Sequence, residues 1–192
     1  TSADEAVAAA EEMGFPAVMK IVSPQIIHKI DVKGVKLNLA DADAVAKAYT
    51  EMIAHVGEVM SEAEITGVLV RGMIPAGHEV ILGAKRDNVF GPTLMFGLGG
   101  SFVEVFKDVT FALAPVDEAV ASRMVRGIRS ISLLVGARGP QPADLQAIEH
   151  CLRGLGQLVA DFDRIAELDI NPLIAGPANV GCAVADVRIR LS

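Results

Sequence analysis

The sequence predicts an α+β fold in two lobes, each a mixed or antiparallel sheet covered by helices. Some segments alternate apolar and polar residues with the period of a strand, others repeat apolar residues at helical spacing, and Pro- and Gly-bearing turns punctuate both. At 192 residues and 52% hydrophobic, the chain can bury a real core, as one domain or as two small lobes. A net charge of −7 argues against a general nucleic-acid binder, which needs an excess of Lys and Arg, whereas a nucleotide phosphate needs only a local positive pocket. The cysteines, Cys151 and Cys182, lie in apolar stretches without CxxC spacing; together with the lack of a signal peptide or a bilayer-length apolar run, they read as reduced thiols of a cytoplasmic protein. The chain starts at Thr1 without an initiator methionine and reads as a piece of something longer.

Ser2 and Glu5 form a capping box, the Ala-rich segment to Met13 is helical, and Gly14 closes it. In Pro16 to Val22, Ala17, Met19 and Ile21 share one strand face and Val18, Lys20 and Val22 the other. A lysine in such company either meets an anion or snorkels to water. A polar loop, Ser23 to Lys36, leads into a strand from Val35 to Leu39. A helix follows from about Asp43 to Val56, its stripe Val45, Tyr49, Met52 and Val56. Strand-like runs Ile65 to Ile74 and Glu79 to Asp87 flank a Pro-Ala-Gly break. Val120, Met124, Ile128 and Ile131 mark one further helix, and Leu145, Ile148, Leu152, Leu155 and Val159 another.

The chemistry concentrates near the end. On a strand from Glu167 to Leu173, Glu167, Asp169 and Asn171 line one face while Ala166, Leu168 and Ile170 bury the other. A Gly-Pro-Ala-Asn turn returns the chain as a hairpin through Ala183 to Ile189, with Cys182, Val184, Asp186 and Arg188 expected on one side. Asp186 can then face Asp169 and Asn171, and carboxylate plus carboxamide oxygens suit a hard ion such as Mg²⁺. The same alternation also describes the solvated outer face of an antiparallel sheet.

Read together, VMKI, IIHKIDVKGVKLNL, VLVRGMIPAGHEVILGAKRD, FGPTLMFGLGGSFVEVFKDV and ELDINPLI resemble, over essentially the whole chain, the ATP-grasp domain of the ADP-forming acyl-CoA synthetases, relatives of succinyl-CoA synthetase. The resemblance implies a fold whose lobes hold ATP between their sheets: residues 1–74 an N-terminal lobe truncated at its start, residues 75–192 a C-terminal lobe with the metal hairpin, and a hinge near Arg71 to Ile74. It implies that Lys20 neutralises phosphate, that Arg71, Gly72 and Met73 offer backbone to the adenine edge, and that Glu79 meets the ribose. Gly34, Gly99 and Gly100 join the nucleotide-binding set, the latter two where backbone can approach a phosphate.

His28 matches the histidine of an HKSD-type motif that the family uses as a phosphoryl relay; alternation puts Glu104 opposite Val103 and Val105, either facing the cleft, where it can orient the His28 imidazole, or as a surface carboxylate. Ile30 stands where the family usually has Ser, and Lys33 where it usually has Gly, departures that bear on the relay loop. His55, His78 and His150 read as structural. Arg123, Arg126, Arg129 and Arg138 read as a solvated helix face.

The implied function is the ATP/ADP- and Mg²⁺-binding part of an acid–CoA ligase: acyl-CoA plus ADP plus phosphate giving acid, CoA and ATP, through a phosphohistidine. A Rossmann-like CoA-binding domain and a CoA-ligase domain or subunit are the implied partners and bring CoA and the acyl substrate, within an oligomeric enzyme; neither nucleic acid nor membrane is expected. A regulatory ATP-grasp remnant is the alternative, and a carboxylate–amine ligase a weaker one, since that reaction needs no phosphohistidine.

Overall fold

The computed structural model describes residues 1–27, 29–100, 108–136 and 141–192. They form two compact units, Thr1–Met73 and Ile74–Ser192. No helix among the described residues is long and apolar enough to cross a membrane.

In the first unit, helix α1 (Ala3–Met13) starts where the Ser2 hydroxyl accepts the Glu5 N–H at 3.2 Å and stops at Gly14, whose φ of 85° few other residues adopt easily. Strand β1 (Ala17–Val22) is the centre of an antiparallel three-stranded sheet, between β2 (Val35–Leu39) and β3 (Gly67–Gly72). Ala17, Met19 and Ile21 are fully buried, as their alternation predicts, against α2 (Ala42–Val59), whose buried stripe is Val45, Ala48, Met52 and Val56. Lys20 lies on the opposite, half-buried face, paired with Val35 and Leu69.

In the second unit, strands β4 (His78–Asp87), β5 (Gly91–Leu98), β6 (Val109–Leu113), β7 (Ile165–Ala175) and β8 (Cys182–Val184) pair in the order β6-β5-β4-β7-β8, and β9 (Val187–Leu191) also pairs with β7. Every pairing is antiparallel. One face is covered by helices α3 (Glu118–Arg126), α4 (Ile131–Leu134) and α5 (Leu145–Asp161); Val80, Leu82, Leu94, Phe96, Leu168 and Leu173 form its core with Ile148, Leu152 and Val159.

Two expectations need correction. The single helix expected through Val120 and Ile131 is two. It ends at Gly127, where a side chain would meet the Arg123 carbonyl at 2.8 Å, and the Asp108 carboxylate then takes the N–H groups of Arg129 (2.8 Å) and Ser130 (2.7 Å) to start a new turn. The second strand of the expected hairpin is also two. It breaks at Ala185 and Asp186 opposite Pro172, which has no N–H to donate, and the chain rejoins through Ala185 N–H to the Pro172 carbonyl (3.0 Å) and Asn171 N–H to the Asp186 carbonyl (3.1 Å).

Helix α5 is fastened at its far end by Arg86 of β4. The guanidinium donates to the carbonyls of Val159 (2.6 Å), Phe162 (3.5 Å) and Ile165 (3.4 Å) and lies 3.3 Å from the Asp163 carboxylate. Carbonyls in the last turn have no partner within the helix, and a cation there also meets the negative end of the helix dipole. Arg86→Met keeps most of the stem but removes the donors, and it should lower unfolding free energy by about 2–3 kcal/mol, the scale of charge-assisted hydrogen bonds to buried carbonyls. An unchanged urea midpoint would show that α5 is held without it.

Candidate functional site

Side chains on the face of the larger sheet opposite α3, α4 and α5 come from alternate positions of β4, β5, β6, β7 and β9. Lys85 stands opposite Glu167 and Gly83 opposite Asp169 across β4 and β7; Asp169 faces Arg188, and Glu167 faces Arg190, across β7 and β9. Arg190 reaches Glu167 at 3.1 Å. Thr93, Met95 and Phe111 continue the same shallow groove.

Asp169 and Asp186 are brought together here. The Asp186 carboxylate lies 3.9 Å from the Arg188 guanidinium, and Arg188 is also the cross-strand neighbour of Asp169. Partial burial pushes the Asp169 carboxyl above the ordinary carboxylate range; Arg188 opposes that, and the charges of Glu167 and Asp186 add to it. Asn171 adjoins them through its backbone bond to Asp186. The face assignment of the return strand needs correction: Cys182 pairs with Ala175 and packs against the core, and Val184 pairs with Leu173 but is half exposed, whereas Arg188 pairs with Asp169 on the open side. The break at Ala185 and Asp186 separates the two sides. Among the described residues no group of three or more His, Cys, Asp and Glu converges as a metal-ligand set. Two carboxylates and a carboxamide are an oxygen donor set that fits Mg²⁺ sharing its remaining positions with water and phosphate.

Glu79 and the glycine pair also meet. The Gly99 N–H donates to the Glu79 carbonyl at 2.7 Å, and a side chain at Gly99 would strike the Glu79 backbone at 2.8 Å. Gly100, with φ 89°, points the position of its missing side chain toward the Glu79 carboxylate, 3.8 Å away. The close approach of Glu79 is therefore sufficient reason for glycine at 99.

In the smaller unit, Arg71 pairs with Val18 and Gly72 with Ala17, so Arg71 shares with Lys20 the face opposite α2. The Met73 N–H is taken by the Pro16 carbonyl at 2.9 Å, which leaves the Met73 carbonyl as its backbone offering. Gly34 is buried: its N–H bonds the Lys29 carbonyl (2.7 Å), its carbonyl receives the Ile21 N–H (2.8 Å), and a side chain would overlap that of Ile21. Gly34 thus seats the loop on β1 beside Lys20. Lys33 has φ 52°, a conformation natural to glycine. His28, Glu104 and Arg138 lie outside the described residues. His78 bonds the Gln141 carbonyl (2.8 Å), a structural role as expected. Arg188 was legible only as a charge on the strand after Asp186; its pairing with Asp169 required the register.

Two variants test these geometries. Because folding raises the Asp169 pKa, the folded chain binds protons more readily than the unfolded chain, and stability falls as pH rises from the ordinary carboxylate pKa through the raised one. Asp169→Asn should therefore raise the melting temperature of the ligand-free chain at neutral pH, with the gain vanishing in acid, where both side chains are uncharged; a flat difference across pH would refute the assignment. Lys33→Gly should relieve a left-handed backbone costing about 1–2 kcal/mol, less the entropy of a new glycine, for a net gain below about 1 kcal/mol. Chemical denaturation of the two chains measures it.

The sequence and the fold resemble those of known proteins. A family model described as an ATP-grasp domain matches residues 1–191. The chain is 46% identical over 187 residues to 4-hydroxybutyrate–CoA ligase [ADP-forming] of Nitrosopumilus maritimus, covering 97% of this chain and 27% of that one. It is 44% identical over 189 residues to the acetate–CoA ligase [ADP-forming] II subunit beta of Pyrococcus furiosus, covering 98% and 80%. The chain thus spans about a quarter of the first relative and most of the second. The dinucleotide forming acetyl-coenzyme A synthetase 1 of Ca. Korarchaeum cryptofilum, in complex with coenzyme A, Ca-AMPCP and HgCl⁺, superposes with a TM-score of 0.95 at 48% identity, covering 100% of this chain and 83% of that one. A second structure of that synthetase, with coenzyme A and Mg-AMPPCP and its phosphohistidine segment pointing towards the nucleotide binding site, superposes at 0.85 with 45% identity, covering 98% and 82%.

Proposed function

The chain belongs to the ATP-grasp domain family, and from that membership we propose that it is the nucleotide-binding domain of an ADP-forming acyl-CoA synthetase. The supporting observation is the pair of carboxylates, Asp169 and Asp186, gathered around Arg188 on the sheet face opposite α3, α4 and α5. The homologous synthetase binds nucleotide analogues with Mg or Ca, and a bound cation would favour the ionised Asp169 that burial and the neighbouring carboxylates disfavour.

In this reading Asp169, Asn171 and Asp186 hold Mg²⁺, which when bound screens the negative charge of the nucleotide phosphates. Lys20 adds a fixed positive charge for phosphate, Glu79 accepts from the ribose hydroxyls, and Gly99 and Gly100 keep the adjoining backbone clear of side chains. Arg71, Gly72 and the Met73 carbonyl border the adenine. Gly34 holds the relay loop in place, His28 carries the phosphoryl group as a phosphohistidine, and Glu104 orients its imidazole. The domain boundaries proposed are residues 1–74 and 75–192. CoA and the acyl group come with a CoA-binding, Rossmann-like domain and a CoA-ligase domain or subunit, as the separate beta subunits among the relatives suggest, in a cytoplasmic, oligomeric enzyme.

Three variants separate the parts. Lys20→Met should weaken ATP binding by about 1.5–3 kcal/mol in calorimetry, the loss of a charged hydrogen bond, with little change in fold. Asp186→Asn should weaken Mg²⁺–nucleotide binding, and unchanged affinity would remove Asp186 from the site. With partner domains present, labelled phosphate from ATP should appear as an acid-labile, base-stable adduct that His28→Ala abolishes while nucleotide still binds. A wild-type chain that binds ATP yet carries no label would replace the enzyme with a regulatory ATP-grasp remnant.

A further inference from the structure

Cys151 and Cys182 are the only cysteines of the chain, and the fold brings them together. Cys151 precedes the fully buried Leu152 on α5; Cys182 opens β8 opposite Ala175, also fully buried. Both are half-buried and pack against the same core cluster, near enough that each thiol alters the other's ionisation. The backbone on either side is fixed. The Asp144 carboxylate accepts the Ala147 N–H at the start of α5 (3.0 Å) and the Gly181 N–H just before β8 (3.1 Å), while the Asp144 N–H donates to the Gly176 carbonyl (2.9 Å). One residue thus ties the helix start to the turn that delivers Cys182, and the meeting of the thiols is built into the packing.

We propose that Cys151 and Cys182 form a redox-active dithiol, which a peroxide converts to a disulfide joining α5 to β8. The Cys151 thiolate attacks a peroxide oxygen, the O–O bond breaks, and water leaves after protonation, giving a sulfenic acid on Cys151. The Cys182 sulfur then attacks Cys151, the S–O bond breaks, a second water leaves with the Cys182 proton, and the S–S bond forms. In sum, two thiols and one hydrogen peroxide give one disulfide and two waters; the sulfurs lose the two electrons that the peroxide gains. The order of attack follows from the unequal thiols: the neighbouring Cys182 brings Cys151 down to about 7 against the opposing effect of burial, while Cys182 itself moves up. The link falls on the strand that leads directly to Ala185 and Asp186.

The full chain, reduced and then treated with hydrogen peroxide, is digested without reductant and analysed by mass spectrometry. The expected product is a crosslinked peptide pair, lighter by two hydrogens than the sum of the Cys151 and Cys182 peptides, lost again on adding dithiothreitol. A higher melting temperature should accompany oxidation and reverse with it. Cys182→Ser should leave Cys151 as a sulfenic acid that dimedone traps, whereas Cys151→Ser should leave Cys182 largely unmodified. Independent oxidation of the two residues to sulfinic acid in the wild-type chain, or disulfides only between separate chains, would overturn the proposal, and this wild-type readout does not depend on either variant folding.

Discussion

An extra residue in β7 decides how the larger unit is built. Leu173 pairs with Val80 and Ile170 with Leu82, so Asn171 and Pro172 together stand opposite Ile81. Without that bulge, the alternation that buries Leu168 would carry Leu173 and Ala175 to the open face. With it, Leu168, Leu173 and Ala175 all enter one core while Asp169 stays outside. The other edge of β7 breaks at the same level. There Pro172 can accept the Ala185 N–H but donate nothing, and the return chain changes face, Cys182 inward and Arg188 outward. A single backbone irregularity thus keeps the core continuous and brings the Asp186 carboxylate to Asp169.

The helix-covered face supplies the rigidity against which that irregularity is held. Arg86 reaches from β4 to the end of α5, Asp144 ties its beginning to the β7–β8 turn, and Asp108 collects the start of α4. Each is a charged side chain answering backbone groups that a helix or turn leaves unpaired. The smaller unit solves a similar problem by closeness: Gly34 lies so near Ile21 that no side chain fits, and the loop is thereby sewn to β1 beside Lys20.

What was legible in the sequence follows from what is local. Periodicity placed the stripes of α2 and α5 and the buried face of β1, because those depend on a few neighbouring residues. The antiparallel hairpin and the polar positions Glu167 and Asp169 were likewise open to alternation. The bulge was not, since it depends on which residue of β4 faces Pro172, and the face change at Ala185 followed from it. The split between α3 and α4 turned on Asp108, distant in sequence, supplying acceptors after Gly127. Glycines 34 and 99 were visible as glycines, yet the reason for each, Ile21 in one case and Glu79 in the other, belongs to tertiary packing.

The acidic residues on the open face of the larger sheet are not equivalent, and the difference indicates where a cation belongs. Glu167 has Arg190 at 3.1 Å and Lys85 directly across the ladder, so its charge is answered by protein groups exposed to water, an arrangement worth little energetically and complete in itself. Asp169 is more enclosed. It shares Arg188 with Asp186, and burial together with the neighbouring carboxylates outweighs that single guanidinium, so its ionised form is disfavoured where it stands. A fold that half-buries Asp169 beside a second carboxylate, with one guanidinium between them, has a place that a hard divalent ion improves, and the backbone bond between Asn171 and Asp186 keeps a third oxygen-bearing residue beside it. The disfavoured charge of Asp169 and the gathering of oxygen donors that fit Mg²⁺ are therefore consequences of the same register.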